Sequence, residues 1–163
     1  MTQKKTTVRK KISKVVKAYG NTWEDVFPGT KQDVKAAERA LGVAFPKELA
    51  ELFMTCGGGL PENDYYYDSK YDLEISMGYV FPLKDQKDIQ SVVSQCELFR
   101  KVHDLSKSLI PFAYDSGNAN LMCLDLVSGK VVYFLHDEEP EDAIQIVSSS
   151  LIRFLKGLRE CPF

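Results

Sequence analysis

A chain of 163 residues, 44% of them hydrophobic, is long enough for one filled core and short for two, so a single domain is expected. The formal net charge of −2 hides an asymmetry: seven of the 21 basic residues, Lys4 to Lys17, precede the first acid, Glu24, leaving 14 basic against 23 acidic residues and a net of −9 beyond them. An acidic body argues against nucleic acid as a direct partner, and no run approaches the roughly 18 apolar residues of a membrane span.

In chain order, Val8, Ile12, Val15 and Tyr19 fall on one face of a predicted basic helix ending at Gly20 and Asn21. Trp23, Val26 and Phe27 then form a connector pinned to the core. Thr30 with Asp33 makes a capping box, with Asp where Glu or Gln is usual, and opens a helix through Val34, Ala37 and Leu41 to Gly42. A second helix starts with Pro46 at its first position and carries Leu49, Leu52, Phe53 and Cys56 as one apolar stripe. Gly57, Gly58 and Gly59 are expected to supply its left-handed cap.

Downstream, Tyr65 to Tyr67, Tyr71 to Ser76 and Tyr79 to Phe81 read as short meandering strands. Asp85 to His103 reads as a helix, with Ile89, Val92, Val93, Cys96, Phe99 and Val102 or His103 at helical spacing. Leu109 to Phe112, Asn120 to Leu126 and Lys130 to Leu135 are three further strands, the last two joined at Val127-Ser128-Gly129. Leu151, Phe154, Leu155 and Leu158 mark a closing amphipathic helix. The fold class is therefore α+β: a bent, mostly antiparallel sheet of about six strands packed with N-terminal, middle and C-terminal helices.

Chemistry finds little purchase in this pattern. Cys56, Cys96, Cys123 and Cys161 are scattered without C-x-x-C spacing, which predicts reduced core residues and a cytoplasmic protein rather than a zinc or redox site. The N-terminal lysines precede no apolar leader core. Cys96 and His103, seven residues apart on one helix, would be the only Cys–His pair for nucleophilic catalysis and have no third orienting group. His136 with Asp137, Glu138 and Glu139 sits in an acidic loop before Pro140, where neighbouring side chains diverge, so no metal is expected. Asp115-Ser116-Gly117-Asn118 reads as a turn, and Gly57 to Gly59 follow a helix rather than a strand, unlike a phosphate loop. No catalytic residue and no cofactor is assigned.

Binding has more support. Tyr65, Tyr67, Asp68, Tyr71, Asp72 and Glu74 mix tyrosines with acids, a composition suited to a protein interface, and Asp137, Glu138, Glu139 and Glu141 extend the acidic character. These residues are the expected partner-binding set.

Four separated segments then point to a family: Leu41-Gly42 through Phe45-Pro46; Leu52-Phe53 running into Gly57-Gly58-Gly59; Leu109-Ile110-Pro111-Phe112-Ala113 leading to Asp115-Ser116-Gly117 and Leu124-Asp125; and Val147 to Ser150 before Leu151 and Phe154-Leu155. In these the chain resembles the SUKH superfamily, which unites bacterial immunity proteins with fungal regulators of cell-wall glucan synthesis. It departs in having Cys56 where Asn often precedes the glycines. The resemblance implies a SUKH-like domain over residues 30–163, with 1–29 packed on or flanking it. It implies further a non-enzymatic protein-binding module, an immunity protein whose partner is a cognate polymorphic toxin, nucleases included, with a basic active-site cleft. A regulatory scaffold is the alternative, and a small-ligand binder a more distant one.

Overall fold

The computed structural model describes residues 14–163. It opens not with a helix but with a hairpin, β1 (Lys14–Ala18) and β2 (Asn21–Val26). The two residues between them, Tyr19 (φ 56°) and Gly20 (φ 69°), both take the left-handed conformation that a two-residue hairpin turn requires. The helical spacing of Val15 and Tyr19 is thus overridden by adjacent β-branched valines, which are stiff in a helix, and by a turn-forming Tyr-Gly-Asn. Val8 and Ile12 lie outside the described residues. Trp23, expected on a connector, is a strand residue with no exposed surface, and its indole N–H donates to the Ala18 carbonyl at 3.0 Å.

The capping box at α1 (Lys31–Leu41) forms as expected: Thr30 Oγ1 accepts from the Asp33 N–H at 3.2 Å, and Asp33 returns the bond to the Thr30 N–H at 2.9 Å. In α2 (Lys47–Cys56), Leu49, Leu52, Phe53 and Cys56 are all buried, while Pro46 occupies the N-cap rather than the first turn. The left-handed glycine after α2 is Gly58 (φ 80°), not the cap Gly57 (φ −52°).

Those glycines carry the chain between two sheets. The Phe27 N–H donates to the Gly57 carbonyl (2.7 Å), the Gly58 N–H to the Val80 carbonyl (2.7 Å), and the Val80 N–H to the Gly59 carbonyl (3.0 Å). A Cβ on Gly57 would lie 2.5 Å from the Phe53 carbonyl oxygen and 3.3 Å from Pro82 Cα, so only glycine fits this crossing. Immediately beyond, β3 (Leu60–Pro61) pairs with β2 and completes a three-stranded sheet in the order β1-β2-β3.

The larger sheet is an antiparallel meander in sequence order: β4 (Tyr65–Asp68), β5 (Leu73–Val80), β6 (Leu109–Asp115), β7 (Leu121–Asp125), β8 (Val131–Phe134) and β9 (Ile144–Ser148). Two strands expected between Tyr71 and Phe81 are one, β5, because Tyr71 and Asp72 (φ 51°) form the turn that precedes it. The central strands β6 and β7 are buried on both faces and read as continuous apolar runs. The sheet curls until its edges meet, where Tyr66 on β4 donates its hydroxyl to Ser148 Oγ on β9 at 2.8 Å.

The third helix, α3, spans Val92–His103 and starts seven residues later than expected. Asp85 begins a loop instead and spends its carboxylate on the Ser91 N–H (2.7 Å) and the Ser94 hydroxyl (2.9 Å), while Ser91 caps the helix. Tyr114 on β6 donates to Gln95 at 2.8 Å and fixes α3 over the sheet. The closing helix α4 (Leu151–Gly157) buries Leu151, Phe154 and Leu155, with Phe154 against Phe112 and Tyr66 at centroid separations of 6.0 and 4.9 Å. Cys56, Cys96 and Cys123 are core residues as expected, whereas Cys161 is exposed; all four are free.

Replacing Gly57 by Ala forces a methyl group into backbone at the crossing. A stability loss of about 1–3 kcal/mol is expected, measured by urea denaturation; an unchanged midpoint would remove the crossing as a constraint.

Candidate protein-binding surface

The pleat of β4 sorts the expected interface residues. Tyr66 and Asp68 point inward and are buried, while Tyr65 and Tyr67 point outward. Tyr67 lies opposite Glu74 in the β4–β5 register and donates its hydroxyl to Asp72 Oδ1 at 2.7 Å. That carboxylate, first, and partial burial hold the Tyr67 phenol above its ordinary pKa. Partial burial and the neighbouring Glu74 carboxylate do the same for Tyr65. Tyr71 is half-buried, with Lys70 Nζ 5.3 Å from its ring centroid.

Asp68 is not free for a partner. Its carboxylate accepts from the Lys70 N–H (3.0 Å) and from Arg153 Nε (3.2 Å), and the Tyr66 hydroxyl, whose proton goes chiefly to Ser148, stands 3.4 Å away. The Lys70 N–H and then the Arg153 charge hold its carboxyl below the usual range. Sequence alone does not reveal this, because the partner lies 85 residues away on α4.

Asp137, Glu138, Glu139 and Glu141 are exposed on the loop joining β8 to β9. In an antiparallel meander alternate connections lie at the same end. The Ser69–Asp72 turn, the Asp115–Asn120 turn and this acidic loop are therefore connections on the same side of the meander, but the β4–β5 hairpin projects past its neighbours: Tyr65 pairs with Ser76, whose carbonyl accepts from the Ser116 N–H at 2.8 Å, so Tyr65 stands level with the Asp115–Asn120 turn and Asp72 lies beyond it. Among the described residues no hydrogen bond or ion pair joins the acidic loop to the β4–β5 hairpin. Asp115 serves the turn itself: it accepts from the Tyr133 hydroxyl (2.6 Å) and from the Ala119 N–H (3.0 Å).

The histidines lie beside the acidic loop. His103 and His136 lie 5.0 Å apart between centroids, tilted by 57°, and both pack beside Phe99, while His136 Nε2 is 3.2 Å from Asp137 Oδ1. Cys96 is fully buried and burial pushes its thiol pKa up, the opposite of what a nucleophile needs. Among the described residues no group of three or more His, Cys, Asp or Glu is placed to hold a metal, and no helix is long and apolar enough to cross a membrane.

One feature escaped the sequence. A cleft of about 440 Å³ runs between β4 and the end of α4, lined by Tyr66, Tyr67, Asp68, Arg153, Lys156 and Arg159 among others. Its only sequence signal is the pair Arg153 and Lys156 on one helical face, followed by Arg159.

The chain matches the SMI1 / KNR4 family (SUKH-1) over residues 28–157. It belongs to that family. The SUKH-1 match takes in everything from α1 to α4, so the β1–β2 hairpin and its buried Trp23 lie outside it. No curated protein matches the chain.

The depressed Asp68 carboxyl gives stability that is complete above the ordinary carboxylate pKa of about 3.9 and fades as pH falls through the lower folded value. Asp68→Asn should therefore be less stable than the parent near neutrality, with the difference closing in acid. Thermal melting from pH 7 to pH 2 measures it, and a gap independent of pH would show that the charge contributes nothing.

Proposed function

We propose that the chain is a non-enzymatic protein-binding module, an immunity protein that binds and neutralises a protein toxin whose active-site cleft is basic, as in a nuclease, in the cytoplasm of the cell it protects. Membership of the SUKH-1 family supports a protein-binding role. The observation that supports the acidic-interface reading is that Asp72, Asp137, Glu138, Glu139 and Glu141 are all exposed and lie on connections from the same side of the meander. Tyr65, Tyr67 and Glu74 extend along the outer face of the same hairpin. Such carboxylates would steer a basic partner into place, and the tyrosines would supply contact area at low entropic cost. Tyr71 flanks this set, and Asp68 supports it from beneath.

Affinity capture from the native cell, with mass spectrometry, tests the reading. Recovery of one secreted protein with a basic toxin domain is expected, whereas recovery of wall-synthesis or signalling proteins would favour a regulatory scaffold. With the partner in hand, the triple variant Asp72→Lys, Glu74→Lys, Glu138→Lys should keep its melting temperature, bind about tenfold or more weakly and lose much of its salt dependence. Affinity and salt dependence both unchanged would move the interface elsewhere.

A further inference from the structure

The cleft between β4 and α4 is a basic site on an acidic protein. Arg153, Lys156 and Arg159 line it with a single carboxylate, Asp68, so positive charge is in excess there although the chain beyond its N-terminal arm is strongly acidic. Each cation is placed by the fold. Arg153 is set by its bond to Asp68. Lys156 stands one turn further along the same face of α4, and among the described residues it has no ion pair; nor has Arg159. Arg159 is fixed through its backbone, which exchanges two hydrogen bonds with Tyr65, 3.0 Å from the Tyr65 N–H and 2.9 Å to the Tyr65 carbonyl. Gly157 forms part of the lining: a Cβ there would fall 2.7 Å from Tyr66 Cε2, so the helix end sits directly against the β4 tyrosine.

The backbone adds a second, independent feature. β4 is an edge strand, and Tyr65 directs both its N–H and its C=O to Arg159 on the free side. Two residues on, the pleat turns the N–H and C=O of Tyr67 the same way. There the facing chain, running antiparallel from Arg159, turns back into α4 instead of continuing as a strand, so the cleft opens between Tyr67 and the last turn of α4, and among the described residues no strand pairs with β4 on that side. An unpaired peptide group is thus flanked by three cations and the Tyr67 ring.

We propose that this cleft binds an extended acidic segment of a partner protein, which adds to the β4 edge at Tyr67 and places its carboxylates on Arg153, Lys156 and Arg159. A free strand edge supplies backbone bonds and the cations supply selection for Asp or Glu. A nucleic acid backbone fits less well, because the surrounding acidic body repels a long polyanion and Asp68 lies in the cleft. The inference rests on the protein-binding reading and adds to it a second contact of opposite sign, so that the partner would present a basic region to the acidic residues and an acidic strand here.

The test uses the full chain with a fluorescein-labelled hexaglutamate peptide followed by anisotropy, with hexaglutamine as control. Salt-dependent binding of hexaglutamate alone is expected, together with slower hydrogen exchange at the Tyr67 amide. Lys156→Glu with Arg159→Glu should weaken binding by at least about tenfold; Lys156→Ala with Arg159→Ala, a milder change, should weaken it in the same direction should the reversal disturb folding. Equal binding of both peptides, indifference to both double variants, or an unprotected Tyr67 amide would overturn the proposal. So would displacement by inorganic phosphate at matched ionic strength, or tighter binding of a single-stranded oligonucleotide. Failure of the peptide with a protein partner captured from cells removes the cleft alone, whereas peptide binding with no captured partner removes the toxin reading and leaves the cleft.

Discussion

The fold depends on a backbone crossing too narrow for any side chain. At Gly57 to Gly59 the chain leaves α2, bonds to Phe27 on one side and Val80 on the other, and enters β3. Three layers are held by that one passage: the small sheet through β2 and β3, the helical hairpin through Phe53, and the large sheet through β5. Peptide groups buried at such a junction have no water to fall back on, so each bond made there stabilises the arrangement more than its length suggests. The run of glycines sets the distance between the sheets, and the aromatic core fills what that distance leaves.

A second set of bonds closes the large sheet. Tyr66 reaches Ser148 across the two edge strands, and Asp68 reaches Arg153 on the helix that follows β9. Both residues come from the inward face of β4, so a strand of four residues joins the start of the meander to its end. The outward residues of that strand, Tyr65 and Tyr67, are left for other contacts. One short segment therefore divides by parity into structure and surface, with cations along its free edge.

What the sequence made legible were features written in neighbouring residues. The capping box at Thr30, the apolar stripe of α2, the apolar runs of β6 and β7 and the amphipathic α4 each follow from local spacing, and with them the α+β class. What it hid depends on pairing at a distance. Lys14 to Ala18 has helical spacing on paper and becomes a strand because Asn21 to Val26 folds back on it. The strand β9 is short, half exposed and flanked by polar residues, so only its pairing with β8 defines it. Asp85 resembles the start of a helix yet caps one six residues on through Ser91. At the candidate surface, the tyrosine and acid content of β4 and β5 is plain in the sequence, but the withdrawal of Asp68 and the cationic cleft both arise from α4, which the sequence places far away.

Trp23 is the one tryptophan of the chain, and it sits wholly buried on a hairpin that lies outside the stretch shared with the family. The chain's one tryptophan fluorophore thus lies at the seam between this hairpin and the matched domain. Its emission therefore reports, in an unlabelled molecule, whether the hairpin is seated against Pro61 and the core it shares with the family domain.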